Sequence, residues 1–325
     1  MPSSSLAPVH PEPQLTTTTE PTDLRRRLQL VLALLWLIDG LLQLQSYMFT
    51  KAFSSDVMAA SAAGNPGWVQ DTITWAARIV GDNPIWTNAV FALIQLLLGV
   101  LIAFRPTVRL GLLASIGWSL AVWWFGEGLG GLLSGGATLL DGAPGGVLLY
   151  AVAAVVLWPV QAESRYVAAR PLGVGLSRGL WVLIWGGLAL LNLQSSNRTP
   201  QAVHDLIASM EAGNPNWLTW LMRHAAQASA HHGVSVAMAG AVLLALIAAG
   251  IFLPPATRRV VLIVTIVLTA TVWVFAQALG GIFSGQGTDP NSAPLLALLV
   301  VAYWPRGIHK QGPRNQGTQE QGIHG

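Results

Sequence analysis

A carboxyl in the middle of an apolar run is the group in this chain most able to do chemistry. Asp39 lies about 17 Å along the run that begins at residue 28, close to the midplane of a bilayer. An ionisable side chain at that depth is costly unless it is paired or neutral. Trp36 stands one helical turn before it, and Gln43 and Ser46 follow one and two turns after it on the same face, which predicts an inward polar stripe. Gln95 reaches a similar depth in the second apolar run. Two chemistries follow from the pair. Either Gln95 donates a hydrogen bond to Asp39 and clamps two helices together, or the carboxyl binds a ligand or carries a proton.

Glu127 follows Trp123 and Trp124 near an outer boundary. Apolar surroundings there raise a carboxyl's pKa and suit it to carry a proton; the alternative is an interfacial carboxylate reaching to water. Asp141 precedes Pro144 as Asn291 precedes Pro294, so each is expected to cap the start of a last span. His224, His231 and His232 share a helical face, a weak metal pattern, since no carboxylate or thiol completes a ligand set beside them. The chain has no cysteine, so thiol chemistry and iron–sulfur ligation are excluded, and neither haem nor a structural metal is expected. Phosphate loops and nucleophile elbows are missing as well.

The elements that must position these groups are membrane spans. Charged residues make up 10% of the chain and hydrophobic ones 53%, far from the roughly 25% charged of soluble domains. Apolar runs at 28–46, 85–104, 110–131, 145–160, 179–193, 234–253, 260–283 and 293–304 predict an all-α integral membrane protein with eight transmembrane helices. The fourth and eighth runs are short and are expected either to start inside the outer loop or to sit within the bundle. Arg25, Arg26, Arg27, Arg105, Arg109, Arg165, Arg170, Arg178, Arg258, Arg259, Arg306, Lys310 and Arg314 fall on one side, against Lys51, Arg78, Arg198 and Arg223 on the other. That asymmetry puts both termini in the cytoplasm. Arginines scattered at span ends are not a nucleic-acid surface, so membrane lipids are the expected partners. Residues 1–24 and 306–325 are polar tails without a core-forming pattern and are expected to be disordered.

The sequence also repeats itself. Residues 63–68 (AGNPGW) return as 212–217 (AGNPNW), and 125–134 (FGEGLGGLLS) return as 275–284 (FAQALGGIFS). Two parallel four-helix repeats are therefore expected, at 25–160 and 179–305 with a linker at 161–178, each with an even number of crossings. In this register Asp39 pairs with Leu188, Gln95 with Leu244, and Glu127 with Gln277. The acids of the first half thus become neutral in the second. Between the first two spans of each half, an outer segment with Trp68 and Trp75, or Trp217 and Trp220, is expected to form an interfacial amphipathic helix opened by Asn-Pro. Glycines 126, 128, 130, 131, 280 and 281 are expected to let helices approach closely.

The run Leu35-Trp36-Leu37-Ile38-Asp39-Gly40-Leu41-Leu42-Gln43-Leu44, with Gln95-Leu96-Leu97-Leu98-Gly99-Val100-Leu101 leading to a basic turn, resembles the DoxX-like family of small four-helix bacterial membrane proteins. The resemblance covers each half once. Members related to thiosulfate:quinone oxidoreductase imply a quinone-linked role, with a soluble or membrane redox partner. On that basis the chain is expected to be an accessory or anchor subunit, not catalytic on its own, with Trp36, Asp39, Gln43, Gln95 and Glu127 lining a quinone or lipid pocket. The other reading is a non-enzymatic scaffold or small-solute carrier.

Overall fold

A computed structural model of the protein describes residues 23–162 and 164–305. The expected tails lie outside the described residues except for Asp23 and Leu24, which open the first helix. The described residues form helices joined by loops and turns, with no strand among them.

Eleven helices follow in order: α1 (Leu24–Leu42), α2 (Gly67–Asp82), α3 (Pro84–Ala103), α4 (Val108–Phe125), α5 (Gly146–Val156), α6 (Ala169–Leu191), α7 (Ala202–Ser209), α8 (Asn216–Ser229), α9 (Gly233–Gly250), α10 (Pro255–Phe275) and α11 (Ser292–Ala302). Five of them, α3, α4, α6, α9 and α10, are long and apolar enough to cross a membrane. Of the other three expected spans, α1 begins with three arginines, and α5 and α11 have 11 residues each. An 11-residue helix rises only about 16 Å. These two helices are apolar on nearly every face and pack against each other at the centre of the molecule. Each is covered by a long helix, α4 over α5 and α10 over α11.

Large apolar side chains cover the outside of the molecule as well as filling its core. Leu34, Leu41, Leu93, Leu113, Leu183 and Leu246 are exposed, while Asp39, Gln43, Asn88, Gln95 and Thr269 are buried. Leucines facing outward over a core that holds isolated polar side chains suit a hydrocarbon surround. α1 and α3 meet closely through two glycines. A methyl group on Gly99 would lie 2.9 Å from the Ala33 carbonyl oxygen, and one on Gly40 would lie 2.9 Å from the Leu96 nitrogen.

Several expected details differ. Gly128, Gly130, Gly131, Gly280 and Gly281 lie outside the α-helices; they take positive φ in tight turns at Gly128–Gly131 and Ala278–Gly281, which also hold Leu129 and Leu279 left-handed, and the close approach they permit is of Gly128 to the Ser61 carbonyl and of Gly130 to the Pro144 carbonyl. Glycine adopts that region without a Cβ penalty. α2 forms where the outer amphipathic helix was expected and buries Val69, Ile73, Ala77 and Val80, leaving Trp68 and Trp75 exposed. Its start is not capped by Asn65, which is buried and donates instead to the Ser61 carbonyl at 3.0 Å. Pro66 takes the cap position. Within the expected linker, Tyr166, Val167 and Ala168 are buried and α6 begins at Ala169.

Candidate ligand cavity

The end of α1 sets one wall of a cavity of about 360 Å³. Trp36, Asp39, Gln43, Gln95 and Glu127, the five residues singled out from sequence, all line it. The stripe is shorter than expected, because α1 stops at Leu42 and Ser46 is exposed in the turn that follows. Gln43 is the residue that ends the helix, and its carbonyl accepts from Asn88 Nδ2 at 2.7 Å.

Asp39 is 1% exposed, and its Oδ1 has no hydrogen-bond partner. Gln95 does not clamp it: Gln95 Oε1 is also unpartnered, and both groups face the cavity. α1 and α3 join through Gly40 and Gly99, and the two polar side chains both line the cavity beside that contact. The Tyr150 hydroxyl lies beside the Asp39 carboxyl, close enough to interact with it as a donor, although no hydrogen bond of full geometry joins them. Trp36 has its own partner, donating from Nε1 to Ser115 Oγ at 2.9 Å, with its ring 4.1 Å from that of Tyr150. It is therefore a wall and not a free donor.

The remaining lining was not singled out from sequence. Phe53, Trp75, Phe91, Trp118 and Phe125 supply aromatic sides, with the rings of Phe91 and Trp118 5.5 Å apart. Trp118 Nε1 is an unpartnered donor. Phe53, Val57 and Met58 come from a π-helical turn, Phe53–Met58, a geometry that often marks functional sites. Thr288 and Asp289 enter from the second half of the chain. Asp289 aligns with Leu139 in the repeat, so comparing the halves gave an acid only on the second side, in a loop where a carboxylate is ordinary.

Glu127 lies beyond the end of α4 and accepts from the Val147 backbone nitrogen at 3.1 and 3.3 Å. A carboxylate on the first turn of a helix is favoured by the free N–H groups and by the helix dipole. Glu127 thus does for α5 what Asp141 was expected to do. Asp141 instead folds its own loop, accepting from the nitrogens of Thr138 at 3.0 Å and Ala143 at 3.3 Å. Asn291 does cap α11, through Ser292 N at 2.6 Å. Burial, then the nearby Asp289 charge, push Glu127 up to about 8 against the Val147 N–H. Burial likewise pushes Asp141 up to about 6 and raises Asp289, whose Oδ2 accepts from Thr288 and whose Oδ1 accepts from Asn291 N.

The second half offers a contrast. Gln277, where Glu127 would be, is 1% exposed and fully used: Nε2 donates to the Leu139 carbonyl at 2.9 Å and to Ser292 Oγ at 3.0 Å, and Oε1 accepts from Ala293 N. A cavity of about 320 Å³ lined by Asn192, Asn197 and Leu244 lies in this half, and no carboxyl lines it. The histidines do not converge: His224 bonds the Trp220 carbonyl and His231 bonds Gln201. Among the described residues, no group of three His, Cys, Asp or Glu side chains is placed to share a metal ion. Comparison with protein-family models, curated proteins and solved structures found no match to this chain.

Proposed function

We propose that this is a bacterial inner-membrane protein whose first-half cavity holds the headgroup of a quinone or lipid, in an accessory or anchor role beside a membrane oxidoreductase. The chain crosses the bilayer eight times, with α1, α3, α4 and α5 in one four-helix repeat and α6, α9, α10 and α11 in a second of the same orientation. Both termini are cytoplasmic. This is the role that the resemblance to the DoxX-like family implies.

One observation carries the ligand. Asp39 Oδ1, Gln43 Oε1, Gln95 Oε1 and Trp118 Nε1 are buried, have no hydrogen-bond partner and line the same cavity. Each such group costs about 1–3 kcal/mol when left unsatisfied, so four around one space make sense if an occupant bonds them. The volume falls within the roughly 300–1,000 Å³ of small-molecule sites. The two hydroxyls of the reduced form, a quinol, would donate to acceptors among Asp39 Oδ1, Gln43 Oε1 and Gln95 Oε1, and a ring oxygen would accept from Trp118 Nε1, with the aromatic walls against the ring and the Asp39 carboxyl placed to exchange a proton with it.

The test is chemical. Protein purified in mild detergent and extracted with organic solvent should release a quinone, or one lipid enriched over the bulk, near one per chain by mass spectrometry. Asp39→Asn and Gln95→Leu should each lower that content severalfold with helical content unchanged by circular dichroism. A wild-type extract with neither compound would overturn the assignment.

A further inference from the structure

A third, larger cavity of about 650 Å³ forms a vestibule beside the one that Asp39 lines, walled by the two glycine turns and by Asp141, Gln277 and Asn291. The two cavities share Val57, Gly126, Glu127, Thr288 and Asp289. Of these, only Glu127 and Asp289 carry an ionisable side chain. Both carboxylates rest on the glycine pair that opens α5. A methyl group on Gly145 would come to 2.5 Å from Glu127 Oε2, and one on Gly146 to 3.0 Å from Asp289 Oδ1. Only bare backbone leaves room for the two acids side by side.

We infer that Glu127 and Asp289 form a proton passage between the vestibule and the unpartnered carboxyl of Asp39. The groups facing them from neighbouring elements are Asp39 on α1, Tyr150 on α5 and Asp141 in the vestibule loop, and no Lys, Arg or His lines either cavity. Asp289 is near enough for its charge to act on both Glu127 and Asp39. With acids on all sides and no basic side chain to pair them, a proton is the cation that neutralises each in turn. Transfer breaks an O–H bond at one carboxyl and forms one at the next, with no change of oxidation state. Carboxyl chains within membranes are a recurrent proton route. The inference deepens the ligand-site reading and rests on it for one point only, that a proton reaching Asp39 arrives beside the bound headgroup.

Hydrogen–deuterium exchange of the Asp39 carboxyl, followed by infrared spectroscopy on the full chain in nanodiscs, tests this directly. The protonated carbonyl band is identified by its loss in Asp39→Asn. In the double variant Glu127→Gln with Asp289→Asn, exchange should slow by roughly 100-fold, the scale of losing a positioned proton-transfer group. Exchange at the wild-type rate in that variant would overturn the passage, as would the lack of any Asp39-dependent band from acid to alkaline pH. If the double variant melts early, Gly146→Ala serves instead, because it presses on Asp289 while keeping every acid; slowed exchange supports the passage and unchanged exchange refutes it. Failure of the ligand reading shows separately, as a wild-type extract without quinone or enriched lipid.

Discussion

At the scale of single residues, what matters is which polar atoms have partners. Gln277 has three and Asp39 Oδ1 has none, although both side chains are 1% exposed. Asp141 gives a prediction of its own. Its folded value of about 6 stands above the ordinary 3.8, so the protonated form favours the fold. That contribution is complete below about pH 4 and is lost as pH rises through about 6. Glu127 and Asp289 shift in the same direction. The thermal midpoint of the wild type should therefore fall across this window, and Asp141→Asn should fall less. An Asp141→Asn midpoint as steep with pH as the wild type's would rule this out.

Legibility in the sequence follows the same division. Asp39 and Gln95 stood out because a carboxyl and an amide are rare at such depth, and both do face one cavity. Their proposed bond to each other was not readable, since it depends on a few ångströms of side-chain placement. Asp289 was missed because its placement comes from tertiary structure. A loop acid becomes a cavity wall only once α11 is folded against α5.

At the scale of elements, the long apolar helices were visible in the hydropathy pattern, and their ends were less so. The run at 110–131 stops being helix at Phe125, because the glycines beyond it turn left-handed. Glycines looked alike in the sequence but divide into two kinds here, those in turns and those at helix contacts. Gly99 belongs to the second kind. Gly99→Val would drive a branched side chain into Leu37 and the Ala33 carbonyl. It should destabilise the protein by about 1–3 kcal/mol, the usual cost of overpacking, and lower its thermal midpoint in detergent. Gly117→Ala, on α4 with nothing near its added methyl group, is the control expected to melt like the wild type.

At the scale of the molecule, the halves share one core. α5 packs directly on α11 and α1 also touches α11, while the segment between the halves is tied to the end of α11 by Tyr166 stacked on Tyr303 at 5.3 Å and by Ala168 N donating to the Ala302 carbonyl at 3.0 Å. Asp23 and Arg170 pair at 2.5 Å, tying the start of α1 to α6. Gln277 reaches across to Leu139. A fragment ending near residue 160 lacks α11 and Asp289. It should lose the ligand when expressed alone and regain it when the remainder of the chain is co-expressed, as measured by the same solvent extraction. Full ligand content in the lone fragment would show that the second half is dispensable to the cavity.

The entry of Asp289 from the far half also bears on how such a protein changes over generations. A mutation near residue 289 is tested by selection through a pocket built mainly from residues before 150, so the two stretches of gene are inherited as one trait. Recombination between them would join a pocket to a foreign acid or to none, and separating them into two genes would require a new way to keep their products together.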